Sequence, residues 1–221
     1  YGLSGYSDEE GVTRDIILAA DIVVNVVDAV HLERDLFLTL QLIDMGIPMI
    51  VALNMSDEAE SAGIWIDISR MEELLGVPVV RTAAVQQNGV EELKARLYQA
   101  RPGKADNNLL ERINFSNTSC SRGEALLILE GDAEVRKRYG AVPGTDRESI
   151  YRLRRARANQ LASMLVETRS TGQKQNFKDK LGRWMLLPVT GFPLLLLTLW
   201  LVYELVGVFI AQTIVDFTEG I

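Results

Sequence analysis

The sequence predicts an α/β protein: a parallel β-sheet with flanking helices, followed by an all-α helical region and one transmembrane helix. Three observations carry this expectation. Between Asp21 and Ala100, apolar β-branched runs of strand length alternate with helical patterns, and continuous apolar strands separated by helices indicate a parallel sheet covered on both faces. From about Arg101 to Thr171 the strand-like runs disappear. From Trp184 to Tyr203 there are 20 residues without a formal charge, about the number that spans a bilayer core.

The elements follow in order. Asp21–Asp28, DIVVNVVD, is a β-branched run of strand length. Leu32–Met45 places Leu32, Leu36, Leu40 and Ile43 at helical spacing and is closed by Gly46 and Pro48. Pro48–Leu53 is a second apolar strand, Asp67–Leu75 a short helix ending at Gly76, Val77–Thr82 a third strand and Gly89–Tyr98 a third helix. Beyond them, Gly123–Leu129 and Arg147–Arg169 read as helices. In the second, Ile150, Leu153, Ala156, Leu161 and Leu165 form a stripe interleaved with Arg152, Arg154, Arg155 and Arg157, and such a charge run reads as a solvated face.

In the last segment Pro188, Gly191 and Pro193 interrupt the early part. The spanning helix is therefore expected to begin at Pro193 or Leu194, where proline suits a first turn, and to run to about Ile214. Leu194–Leu197 and Leu199–Val202 are apolar on every face. Lys174, Lys178, Lys180 and Arg183 precede this helix, and Asp216 and Glu219 follow it. The positive-inside rule then puts residues 1–183 on the cytoplasmic side. Glu204 has two readings: a carboxylate lining a polar cation path near the midplane, or a hydrated residue beside Tyr203 at the far interface. The chain is thus expected to divide into 1–100, 101–172 and 173–221, the last being an amphipathic lead-in and membrane helix.

Composition narrows the function. A net charge of -7 argues against a nucleic-acid partner. The single cysteine, Cys120, excludes an intrachain disulfide and CxxC metal clusters, and with no His or Cys near it reads as structural. The single histidine, His31, excludes His-rich metal sites, argues against a His-based triad, and reads as a surface residue at a helix start. Tyr1–Ser4 lacks the basic start and apolar stretch of a signal peptide, and there is no initiating Met; the chain is expected to be a piece of a longer protein.

In parallel sheets, ligands bind beyond the carboxyl ends of the strands. Three loops leave that edge: one beginning at Asp28, one holding Asn54-Met55-Ser56-Asp57, and one holding Thr82-Ala83-Ala84. Asn54 and Asp57 admit two readings. They are good turn and cap residues. They are also an amide and a carboxylate able to read a purine edge. Guanine presents donors at N1 and the 2-amino group that one carboxylate accepts together, and adenine lacks that pair. Asp57 supplies the carboxylate. Asn54 can donate toward N7 and tie the loops together, and the small Ala83-Ala84 lets a backbone N–H approach O6.

The runs NMSD at 54–57, RTAA at 81–84, VVDAVHLERDLFLTLQLIDMGIPMIVALNMSDEAE at 26–60 and DKLGRWMLLPVTGFPLLLL at 179–197 together resemble the FeoB family of prokaryotic ferrous-iron transporters. The resemblance covers essentially the whole chain. It implies a partial P-loop GTPase-type sheet forming the end of a G domain, then a helical spacer, then the first membrane segment. It makes Asn54 and Asp57 the guanine-reading pair. Met55 stands where most small GTPases have lysine, and its apolar side chain can pack on the base. Thr82, Ala83 and Ala84 match the last guanine-contacting loop. The family more often has Ser at Ala83, so a buttressing hydroxyl is missing and weaker nucleotide affinity is expected. Tyr1–Ser7 matches the tail of the second switch.

No GxxxxGK[ST] occurs in the chain. The phosphate cradle and Mg²⁺ ligands are therefore expected upstream, in a parent that hydrolyses GTP, while this fragment holds no catalytic or metal residue and is expected to be inactive alone. The implied ligands are GTP or GDP, Mg²⁺, and Fe²⁺ as the transported ion. The implied partners are the lipid bilayer of the cytoplasmic membrane, the rest of the permease, a small accessory iron-transport protein and further copies of the chain. The rival readings are a membrane-anchored GTP-binding signalling module without transport, and a soluble fragment with residues 184–214 buried against a G-domain-like body.

Overall fold

The computed structural model describes residues 8–115, 120–142, 144–168, 185 and 188–210. The chain divides into two compact units, residues 1–170 and 171–221. Tyr1–Ser7, the charged lead-in at 174–183 and the carboxylates Asp216 and Glu219 lie outside the described residues.

The first unit opens with helix α1 (Asp8–Ala19) and continues β1 (Val23–Asp28), α2 (Leu32–Met45), β2 (Met49–Asn54), α3 (Ser56–Ser61), β3 (Ile64–Ile66), α4 (Ile68–Leu75), β4 (Val79–Arg81) and α5 (Val90–Arg96). Helices α6 (Asn107–Phe115), α7 (Arg122–Leu129), α8 (Ala133–Tyr139) and α9 (Arg147–Leu165) follow, then β5 (Val166–Thr168). Strands β1, β2 and β4 form a parallel sheet with β2 in the middle. Val23 pairs with Met49 through to Asp28 with Asn54, and Val51 to Leu53 pair with Val79 to Arg81. This register brings the carboxyl ends of all three strands to one rim, carrying the loops after Asp28, Asn54 and Arg81.

Coverage on both faces holds for β2, whose Met49–Leu53 are all buried. It fails for β1. There Asn25 and Val27 are buried while Val24 and Val26 are 41% and 62% exposed, so this strand is half-buried with period two. Buried Asn25 is satisfied by donating from Nδ2 to Thr39 Oγ1 at 2.8 Å. Helix α2 has the expected limits: Gly46 adopts φ 77°, the left-handed closure that glycine accepts without a Cβ penalty, and its N–H bonds the Ile43 carbonyl.

Two expectations for the helical region are corrected. A strand does occur there: Val166–Thr168 pairs antiparallel with Ile64–Ile66, Val166 opposite Ile66. The arginine run on α9 is not wholly solvated. Arg154 is buried, with Nε 3.2 Å from Asp44 Oδ2 and Nη2 2.9 Å from Glu130 Oε1, both carboxylates buried as well. Its guanidinium also lies 5.5 Å from the Phe37 ring centre. Arg152 and Glu148 do make an exposed i,i+4 pair.

In the second unit, helix α10 (Pro188–Val202) passes into a π-helical stretch, Tyr203–Ile210, containing Glu204. The helix starts five residues before Pro193, so Pro188 takes the first-turn place and Pro193 is inside. Thr198 returns its hydroxyl to the Leu194 carbonyl at 2.6 Å, a polar group satisfied within an apolar helix. Among the described residues no helix is long and apolar enough to cross a membrane. The α-helical part has 15 residues, about 22 Å at 1.5 Å per residue, short of a hydrocarbon core of about 30 Å. The expected end of the span, residues 211–214, lies outside the described residues.

Candidate functional site

The rim is built by two loops. At the end of β2, Asn54 keeps its strand pairing with Asp28 while its side chain turns to the neighbouring loop. Met55 then adopts φ 58°, ψ 29°, a left-handed conformation uncommon for a non-glycine residue, and α3 begins at Ser56. Ser56 fastens the turn: its hydroxyl donates to the Thr82 carbonyl at 2.7 Å and the Leu53 carbonyl at 3.1 Å, and its N–H to the Thr82 carbonyl at 3.3 Å.

Asn54 Oδ1 accepts from the Ala84 N–H at 3.0 Å and from Thr82 Oγ1 at 3.3 Å. A backbone N–H can only donate, so it fixes which end of the amide faces the loop. The Nδ2 donor is therefore the end of Asn54 that a ligand's acceptor can use. Neither alanine N–H of the second loop is left as the sequence expectation required. Ala84 bonds Asn54, and Ala83 donates to the Asn88 carbonyl at 3.0 Å, with Asn88 returning the bond at 3.2 Å.

A short 3₁₀ turn, Ala84–Gln86, carries the loop tip. Gly89 closes it at φ +76°, where an added Cβ would stand 2.0 Å from the Arg81 carbonyl oxygen. Asp57, on the first turn of α3, is partly buried and its Oδ2 accepts from Gln86 Nε2 at 2.7 Å. Met55 and Val85 are exposed apolar side chains of the same two loops. Asn54, Met55, Asp57, Thr82, Ala83 and Ala84 thus gather at one rim. Ser56 and Gln86 join them unanticipated; the serine is a common turn residue, and nothing in the sequence ties the glutamine to a carboxylate 29 positions away.

The loop after Asp28 is a separate turn. Asp28 Oδ1 accepts from the Val30 N–H, and Oδ2 lies 2.8 Å from His31 Nδ1. Burial works to raise the Asp28 pKa, but these bonds outweigh it and hold the carboxyl below its ordinary value. His31 is exposed at the start of α2. Among the described residues no group of three or more His, Cys, Asp or Glu could hold a metal ion. Cys120 is a free, partly buried thiol packed against the core.

Residues 1–97 match the family model for ferrous iron transport protein B. The solved structure of S. thermophilus NFeoB bound to GDP, AlF4⁻ and K⁺ is 32% identical, with a TM-score of 0.61 over 74% of this chain and 78% of that one. This chain belongs to the FeoB family. The cytosolic domain of T. maritima FeoB in its apo form superposes with a TM-score of 0.66 at 27% identity, over 76% of this chain and 77% of that one. Among curated FeoB relatives, the Fe(2+) transport protein A/Fe(2+) transporter FeoB fusion protein of Porphyromonas gingivalis is 32% identical over 92% of this chain, and the alignment spans 30% of that protein's length. The FeoB likeness agrees with the parallel sheet and the helices packed on it.

Proposed function

We propose that the rim formed by Asn54, Met55, Asp57 and Thr82–Ala84 reads the guanine base of GTP or GDP, in a protein that uses GTP to drive Fe²⁺ uptake across the cytoplasmic membrane. The observation that carries this reading is the Asn54 bridge. With Oδ1 held by Ala84 and Thr82, Nδ2 is oriented toward an acceptor such as purine N7. Three residues on, Asp57 offers a carboxylate whose neighbour is already an amide donor, the kind of group guanine presents at N1 and its 2-amino nitrogen. Adenine offers no such donor pair.

Hydrolysis needs a phosphate cradle and Mg²⁺ to neutralise charge in the transition state. The described residues supply the base-reading part of that machinery, and Mg²⁺ would be held with the phosphates by other residues. Fe²⁺ is the cargo. Helix α10 and the charged lead-in before it support attachment at the membrane, with residues 1–183 on the cytoplasmic side. The P. gingivalis relative, a fusion of Fe(2+) transport protein A with Fe(2+) transporter FeoB, supports a small accessory iron-transport partner. Assembly with further copies of the chain belongs to the same proposal.

The test is Asp57→Asn in the full-length protein. Losing the acceptor for two donors should weaken guanine nucleotide by about 10- to 150-fold, from the roughly 1.5–3 kcal/mol of a hydrogen bond to a charged group, and shift preference toward xanthosine triphosphate. An unchanged preference in competition between the two nucleotides rejects the role of Asp57.

A further inference from the structure

We infer that Gln86 is a built-in competitor of the base: its side chain occupies the recognition carboxylate when no nucleotide is bound and must leave before guanine can bind. The inference rests on the guanine-reading role proposed for Asp57. Gln86 ends the 3₁₀ turn Ala84–Gln86, whose residues are exposed. From there its Nε2 donates to Asp57 Oδ2 at 2.7 Å. A carboxamide N–H donates much as the ring N1–H and 2-amino group of guanine do. Gln86 therefore presents to Asp57 the chemistry of the ligand, on one of the two oxygens the ligand needs.

The surrounding loop favours this contact. The Ala83–Asn88 pair closes the loop into a small hairpin, Gln86 N–H bonds the Ala83 carbonyl at 2.9 Å, and Asn54 pins Ala84 from the opposite side. The backbone beneath Gln86 is thus held while its exposed side chain can rotate. A rotating side chain on a fixed backbone can exclude a ligand without a change in fold. The bond stabilises only the nucleotide-free form. The apparent dissociation constant rises by the reciprocal of the fraction of molecules in which Asp57 is uncovered. That factor belongs to association, because in the bound form Gln86 has already left.

The experiment uses full-length protein and a fluorescent GDP analogue, with equilibrium titration and stopped-flow mixing. Gln86→Met keeps the length and removes the donor. Gln86→Asn keeps the donor on a stem one methylene shorter, which cannot span the same gap from the same backbone. Both should tighten GDP by about two- to tenfold, the factor expected for one exposed hydrogen bond, through faster association at unchanged dissociation rate. In an Asp57→Ala background Gln86→Met should have no effect.

Unchanged affinity in both single variants overturns the inference. So does a gain expressed wholly in dissociation, or a gain that survives in the Asp57→Ala background. The parent reading is judged separately by Asp57→Asn. If that variant loses guanine preference while Gln86→Met changes nothing, the competitor role fails and the base-reading role stands. If Asp57→Asn keeps guanine preference, both fail.

Discussion

Single residues set the candidate site through backbone geometry as much as through side-chain chemistry. Met55 and Gln87 are the non-glycine residues with positive φ among the described residues, and they flank the two loops that meet at the rim. Such conformations cost about 1–3 kcal/mol where they are strained and persist where surrounding bonds enforce them; here Ser56 and Asn54 supply the enforcing bonds. Gly89 is the most constrained point. Alanine there would carry a left-handed φ and a Cβ 2.0 Å from the Arg81 carbonyl oxygen, backbone that cannot swing aside. Gly89→Ala should therefore lower stability by about 1–3 kcal/mol and also weaken GDP binding, because the carbonyl in its way lies at the end of β4, one residue before Thr82. Denaturant unfolding and GDP titration of one protein preparation measure both. Normal stability with normal affinity would mean that the loop relocates at no cost and that its geometry does not matter.

At the scale of elements, the charged contact between α2 and α9 is the feature that sequence periodicity could not reveal. Leu36, Leu40 and Ile43 mark one apolar stripe of α2, and the stripe together with Gly46 and Pro48 made its limits legible. Gln41 and Asp44 lie off that stripe and are buried all the same, because α7 and α9 cover the other side of the helix. In the sequence Arg154 looks like its neighbours Arg152, which is exposed, and Arg155, which is partly buried. Its burial is decided by Asp44, 110 positions away, and Glu130, 24 away, a separation that no local pattern encodes. The three-residue strands β3 and β5 were missed for the same reason, each being too short to read without its distant partner. The loops of the rim were legible because an apolar strand announces where it ends. Arg154→Ala would leave two buried carboxylates short of their shared cation, and breaking a buried ion pair in this way costs about 3–5 kcal/mol. Burial already holds the Asp44 carboxyl above its ordinary value, with the charges of Arg154 and Arg157 pulling it back. Without Arg154 it should rise further. A carboxyl raised in the folded state takes up a proton on folding, so stability is lost as pH rises from the ordinary carboxylate value through the raised one, and regained in acid. The deficit of Arg154→Ala relative to the parent should therefore shrink as pH falls through that window. Urea unfolding at several pH values measures it, and a deficit that does not vary with pH would mean that Asp44 is not the group left unpaired.

The first compact unit, taken whole, has one continuous apolar core. The same buried cluster runs from Val27 on β1 through Leu36, Leu53 and Leu75 to Leu126, Ile150 and Leu165, so the helices after residue 100 complete the core of the sheet. Ala158, Leu161 and Leu165 of α9 belong to it, and β5 adds a strand to β3. The sheet also presents β1 with Val24 and Val26 exposed, and an exposed apolar edge strand invites pairing between molecules. Both pieces keep that edge, so it is the core shared with the later helices that makes the segments unequal. A polypeptide of residues 1–168 retains α7 and α9 against α2, α8 against α7, and β5 paired with β3. A polypeptide of residues 1–100 loses them, uncovers the far side of α2, and leaves Gln41 and Asp44 on a surface that is otherwise apolar. We expect the longer piece to unfold in one cooperative thermal transition followed by circular dichroism. The shorter piece should give no cooperative transition and should sediment as aggregates at the same concentration. A sharp, reversible transition in residues 1–100 would show that the sheet holds its own core, and the contact between α2 and α9 would then be a docking of two folded bodies.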